Sequence, residues 1–325
     1  MIIERNKNLS NNEEMKFLRS FKLDMNTNQA KEILNKVFDN AVENVSSIEM
    51  GELSRVFSFI VKDQPYVVHF RLNSESLDKA NYMYKTYGEL LPIPAVTKLG
   101  NIDDIFFCIS QKAKGKPIIS YSNSEQNIIL NDVARNLKKI SCIKIDSSQG
   151  YGLISPSGLA TFKSWEEAIA SFFKDNQEGF YMNWTNLYNE SFLERSLFEE
   201  AYLTMMELLK YSPCKPHLIH GDFHLGNMLS NEKLVTGIVD WELAMYGDFM
   251  FDLAGLHFWS SHLEFPQKVR NLWLESGQDI INFKERLHCY MLFKAVDGLR
   301  FYAKQGAKPS YDYIREKVVT LLNEV

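Results

Sequence analysis

Residues 217–241 read HLIHGDFHLGNMLSNEKLVTGIVDW and place His220, Asp222, His224, Asn227 and Asp240 inside an otherwise apolar, strand-like run. Asp222 and Asn227 are five residues apart, and Gly226 lets the loop between them turn tightly. NML and VTGIVDW read as the two strands of a hairpin turned at SNEK. Folding that hairpin brings Asn227 close to Asp240. An amide and a carboxylate make a hard oxygen pair of the kind Mg²⁺ prefers, and Asp222, just upstream, is placed to orient a substrate hydroxyl. A catalytic carboxylate followed by an amide and a second carboxylate is the arrangement used in phosphoryl transfer. Metal-assisted hydrolysis is the rival, because His220, Asp222 and His224 alternate and would share one face of a strand. That reading leaves Asn227 and Asp240 unused and finds no further ligand at suitable spacing. Taken singly, Asp222 and Asn227 are also ordinary turn residues.

These groups need elements to hold them. The chain has 325 residues, 45% hydrophobic and 24% charged, enough for two lobes with a core each. Its net charge of −5 argues against a nucleic-acid partner and suits a cationic small molecule. The four cysteines are widely spaced and read as reduced, mostly buried thiols. The N-terminal stretch has no signal-like apolar core and no segment is long enough to span a membrane, so a cytoplasmic protein is expected. Residues 1–26 read as an extra arm, followed by a helix in NQAKEILNKVFDNAV. SRVFSFIV and YVVHFRL form a hairpin, SLDKANYMYKTYGELL a helix, and AVTKLGN and IFFCISQKAKG two more strands, the last ending at Gly115. Helical patterns dominate from about 124 to 211 and again after the quoted stretch. The expected fold is α+β and two-lobed: residues 1–112 a small antiparallel-sheet lobe with a helix, residues 113–325 a larger, mainly helical lobe.

HGDFHLGNML followed by IVDWELAMYGDFMFDLA resembles the aminoglycoside phosphotransferase and choline kinase superfamily, which has a protein-kinase-like fold. Within it the chain is most similar to the hygromycin B phosphotransferase branch, through GELSRVFSF, LPIPAV, CISQKAKG, GYGLISPSG, SWEEAI, DWELAMYGD and HFW in the same order. The resemblance spans roughly residues 28–315. It implies that Asp222 contacts the acceptor hydroxyl and that Asn227 and Asp240 hold Mg²⁺ against the phosphates of ATP, with GTP the alternative donor. It makes His220 a brace for the loop, and Asp248 and Asp252 structural, one ordering the loop and the other capping the next helix.

For the nucleotide, backbone amides around Gly51–Ser54 and the Ser54 hydroxyl take the place of a glycine-rich loop. By resemblance the backbone of Ser110–Ala113 pairs with the purine edge, and Ile109 helps to cover the ring. On YVVHFRLN, Val67, His69 and Arg71 share the face expected to point to the nucleotide, opposite Val68, Phe70 and Leu72. Both His69 and Arg71 fit as the phosphate cation. Arg71 is preferred because it is always charged and forks onto phosphate. The following helix offers Asp78 and Lys79 but no glutamate to pair with that cation, and Glu75 stands only at its start. Acceptor-binding candidates are His224, Glu242, Trp165, Glu166, Glu167, Glu178, Tyr181, Trp184, Trp259 and Asp297. The implied function is transfer of the γ-phosphoryl group to a hydroxyl of a hygromycin-like aminoglycoside. The alternatives are a metabolic kinase for an amino alcohol or sugar, and a non-catalytic nucleotide-binding protein, which the intact Asp222, Asn227 and Asp240 set disfavours.

Overall fold

The structure, a computed structural model, describes residues 23–49 and 54–324. Gly51 and the expected arm as far as residue 22 lie outside them. The chain divides into two compact units, one running through Asn81 and taking in Ala95–Lys112, the other Tyr82–Pro94 with the chain from Ala113 on. Residues 82–94, assigned to the first lobe from sequence, therefore group with the second.

In the first unit, helix α1 (Thr27–Val37) opens with a capping box between Asn26 and Gln29, and its Ala30 and Leu34 are buried. Strands β1 (Val42–Ile48), β2 (Arg55–Val61), β3 (Gln64–Arg71), β4 (Val96–Ile102) and β5 (Ile105–Gln111) form one antiparallel sheet in the order β1-β2-β3-β5-β4. Lys62 and Asp63, both at positive φ, make the two-residue turn between β2 and β3. Alternation then sorts the faces. Phe57, Phe59, Val68, Phe70, Phe107 and Ile109 share a core with Ala30 and Leu34 of α1. Val67, His69 and Arg71 lie on the opposite face of β3 and are half-buried. Two expectations need correction. Strand β5 stops at Gln111, not Gly115, and Leu72 falls beyond the end of β3 and is exposed. Helix α2 (Glu75–Tyr87) starts in this unit and ends in the second, where Met83 and Tyr87 join the larger core.

The second unit contains β6 (Lys116–Pro117), α3 (Asn123–Ser141), β7 (Gly152–Leu153), α4 (Trp165–Ser171), α5 (Leu187–Glu190), α6 (Arg195–Leu208), β8 (His217–Ile219), β9 (Met228–Ser230), β10 (Val235–Ile238), β11 (Met245–Gly247), α7 (Met250–Trp259), α8 (Phe265–Glu275), α9 (Phe283–Lys304) and α10 (Lys308–Leu322). The strands make two small sheets, ordered β10-β9-β6 and β7-β11-β8. Helix α7 is buried on nearly every side and is apolar to match. The stretch from 142 to 164, within the range expected to be mainly helical, holds turns, one short 3₁₀ turn (Ser147–Gln149) and β7. Its loop is fixed by the Tyr246 hydroxyl, which meets Gln149 Nε2 at 3.0 Å and the hydroxyls of Tyr82 and Tyr87 at 3.2 and 3.1 Å. Of the cysteines, Cys108 and Cys289 are buried and Cys142 and Cys214 exposed, so burial is evenly split.

Candidate active site

The loop from His220 to Asn227 leaves β8 and enters β9, and buried groups fix its start. Asp252, in the first turn of α7, accepts from the backbone N–H of His220 at 2.7 Å and of Gly221 at 2.9 Å. Burial pushes the Asp252 carboxyl up to about 7, even though these two amides favour its charge. Gly221 has φ +86°, and a methyl group there would stand 2.0 Å from the Leu243 carbonyl oxygen, so only glycine fits. His220 braces the next step. Its Nδ1 accepts from the Asp222 N–H at 3.3 Å, which leaves Nε2 to donate to Val239 O at 2.9 Å. Burial brings its pKa down to about 4, so the ring is neutral, and it packs 4.6 Å from the Trp241 ring. Both nitrogens are engaged and the segment is a loop rather than a strand, so His220 and His224 do not form the metal pair of the hydrolytic alternative.

The hairpin pairs Met228 with Ile238, and the Val239 N–H donates to Asn227 O at 2.9 Å, which places Asn227 and Asp240 at the same end of the ladder. Asn227 is buried, and its Nδ2 donates to Asp222 at Oδ2 (2.9 Å) and at the backbone oxygen (3.1 Å). Its Oδ1 remains the amide's acceptor. Asp240 is exposed and left-handed (φ 63°), a conformation aspartate tolerates better than most residues. His224 accepts from the Gly226 N–H through Nδ1 (3.0 Å) and presents Nε2 to Asp222 Oδ2 at 3.2 Å. Gly226 is needed for space rather than for a special φ, since a methyl group there would meet His224 Cε1 at 2.8 Å. Burial works to raise the Asp222 carboxyl, but His224 and the Lys294 ammonium outweigh it and hold the group well below the usual carboxylate range. Asp222 is therefore an ionised carboxylate at neutral pH.

Asp248 does different work. It accepts from Arg286 through both oxygens (Nε–Oδ2 2.8 Å), from the Tyr290 hydroxyl at 2.9 Å and from the Met250 N–H at 3.0 Å, tying the start of α7 to α9. Asp252 thus orders the loop, and Asp248 fixes the start of the next helix without capping it.

In the first unit, Arg71 Nε donates to Ser54 Oγ at 2.7 Å. Burial, with the neighbouring Arg71 charge, takes His69 down to about 4. Ser110 and Ala113 are half-buried. The amides of Gln111 and Lys112 are already bound to Ala95 O (2.9 Å) and Pro65 O (3.0 Å), so they are closed to a purine edge. Ile109 is fully buried in the core shared with α1 and offers a ring no surface.

A model of the phosphotransferase enzyme family (APH) matches residues 44–279. The chain belongs to the phosphotransferase enzyme family. A hygromycin-B 4-O-kinase of Escherichia coli is 26% identical over 281 residues, covering 86% of this chain and 80% of that protein. The crystal structure of aminoglycoside phosphotransferase APH(4)-Ia superposes with a TM-score of 0.75 at 24% identity, over 90% of this chain and 97% of that one. A GDP complex of aminoglycoside 2′-phosphotransferase-IIIa is more distant, with a TM-score of 0.60 at 15% identity over 92% of this chain and 99% of that one.

As a member of the phosphotransferase enzyme family, the chain needs a surface for its acceptor, and the aromatic candidates fare poorly there. Trp165 is buried with Nε1 donating to the Tyr290 hydroxyl at 2.8 Å, and Trp184 is buried with Nε1 donating to Lys174 O at 2.9 Å. Both are core residues with no face for a sugar ring. Tyr181 and Asp297 are brought together, the tyrosine hydroxyl donating to Asp297 Oδ1 at 3.0 Å, but buried Arg300 binds the same oxygen at 2.7 Å and lies 3.6 Å from the Tyr181 ring centroid. Asp297 is half-buried and already paired. Glu166, Glu167 and Glu178 are exposed, Glu242 is half-buried on the turn Trp241–Leu243, and Trp259 is 40% exposed at the end of α7. Sequence reading missed Lys294, whose Nζ donates to Gly221 O at 3.3 Å. Its signal was present, since Lys294, Asp297 and Arg300 recur at three-residue spacing in an apolar helix.

Proposed function

We propose that the protein is a cytoplasmic, ATP-dependent O-phosphotransferase whose acceptor is an aminocyclitol aminoglycoside of the hygromycin type, and that it confers resistance to it. The observation that carries the phosphotransferase reading is the ionised Asp222 held beside Asn227, with Asp240 at the same end of the hairpin. The similarity to a hygromycin-B 4-O-kinase supports the acceptor.

Asp222 orients the acceptor hydroxyl and takes its proton. As the acceptor oxygen bonds to the γ-phosphorus, the bond to the β–γ bridging oxygen breaks and ADP leaves. Asn227 Oδ1 and the Asp240 carboxylate are hard oxygens that would hold Mg²⁺, which when bound neutralises phosphate charge. The donor set fits the ion: Asn227 gives its N–H to Asp222 and keeps its oxygen, and Asp240 is an exposed carboxylate. Arg71 and Ser54, hydrogen-bonded to each other, would serve the phosphates.

Burial of Trp165 and Trp184 and the pairing of Asp297 with Arg300 withdraw three acceptor candidates, which favours a smaller metabolic acceptor as the second reading. A panel of aminoglycosides, choline, ethanolamine and sugars, followed by ADP release, decides between them. Release driven by hygromycin B supports the first reading. Release driven only by choline, ethanolamine or a sugar supports the second.

A further inference from the structure

Lys294 leaves the middle of α9 through a slot shaped for it. A methyl group at Gly255, in the middle of α7, would stand 3.3 Å from Lys294 Cε. Phe251, one turn earlier on α7, has its ring centroid 4.2 Å from Nζ. Glycine is costly in mid-helix, and here it clears the path of the lysine stem. At the end of the slot Nζ donates to Gly221 O at 3.3 Å, in the loop that carries Asp222.

Three carboxylates, Asp222, Asp297 and Asp252, act on this ammonium, and the Phe251 and Phe293 rings face it at 4.2 and 5.9 Å. Burial outweighs these carboxylates and lowers the Lys294 ammonium from the ordinary lysine value. All three have other partners, Asp222 among them through Asn227 Nδ2 and His224 Nε2. Asp252 accepts from two backbone amides, and Asp297 binds Arg300 and Tyr181. Asp222 carries the chemistry, in a site that gathers further negative charge when a nucleotide enters.

We infer that Lys294 is a positioning residue for phosphoryl transfer: its ammonium, led through the slot at Gly255, fixes the Gly221 carbonyl and so aligns the loop that carries Asp222. The inference rests on Asp222 being the catalytic carboxylate, and the test separates the two claims.

Lys294→Met keeps the apolar stem and removes the ammonium, whereas Lys294→Gln replaces it by a neutral amide donor that ends one bond short of the Nζ position. Both are expected to lower kcat by about tenfold or more while the ATP KM stays within about twofold, the pattern of an interaction made mainly in the transition state. In an Asp222→Asn background the same substitutions should cost about twofold or less, because the two groups act as a unit. Melting curves identify any variant that fails to fold, and Lys294→Gln carries the test if Lys294→Met does not fold. Wild-type kcat in Lys294→Gln would overturn the positioning role, as would an equal fold-loss with and without Asp222. Wild-type turnover in Asp222→Asn alone would instead overturn the assignment of Asp222.

Discussion

At the scale of single residues, the carboxylate, the metal oxygens and the phosphate cation make separable demands. Asp222→Asn should leave binding of Mg²⁺–ATP nearly intact and lower turnover by at least about a hundredfold, the low end of what a positioned general base contributes. Isothermal titration with a non-hydrolysable ATP analogue, set beside steady-state kcat, checks both halves. Asp240→Ala should abolish the dependence of analogue affinity on Mg²⁺, because it deletes a carboxylate rather than a base. Unchanged Mg²⁺ dependence would place the ion elsewhere. For the cation, His69 titrates near 4 and is neutral at working pH. Arg71→Ala should therefore raise the ATP KM strongly and His69→Ala only slightly, with the wild-type KM flat from pH 6 to 8. A KM that climbs as pH rises through the ordinary histidine range would identify His69 as the cation. A stability effect also follows. The folded protein holds His69 and His220 neutral down to about 4 while the unfolded chain protonates them below about 6.5, so the unfolded state binds more protons in that window. Their contribution is present in full above pH 6.5 and is lost as pH falls toward 4.

At the scale of elements, the active-site loop depends on α7 and α9, which reach it through Asp252 and Lys294 and are tied to each other by Asp248. Asp252→Asn replaces an acceptor of two amide hydrogens by a group with one acceptor oxygen. One buried N–H is left facing an amide nitrogen, at a cost of about 1–3 kcal/mol. Urea titration should show that loss together with lower kcat, and unchanged stability would mean that the loop is held in another way. The same elements show what was legible in the sequence. The β9–β10 hairpin was readable because its strands are adjacent in the chain, and pairing follows from local alternation and one turn. The sorting of β3 into two faces was readable for the same reason. Local pattern could not show that Trp165 and Trp184 are sealed by packing from distant elements, or that Lys294 meets Gly221, 73 residues away. Nor could it show that Gln111 and Lys112 spend their amides on Ala95 and Pro65. Burial and long-range pairing are properties of the assembled chain.

At the scale of the whole molecule, membership of the phosphotransferase enzyme family and the α+β fold fix the type of reaction, while the acceptor rests on similarity at 26% identity. No helix among the described residues is long and apolar enough to cross a membrane. The measurement closest to the central claim is mass spectrometry of hygromycin B incubated with the protein, ATP and Mg²⁺, run in parallel with Asp222→Asn. The predicted result is an antibiotic heavier by one phosphoryl group, formed in step with ADP by the wild type and nearly absent with the variant. Unmodified hygromycin B, with the phosphoryl group found on choline or a sugar or on no acceptor at all, would contradict it.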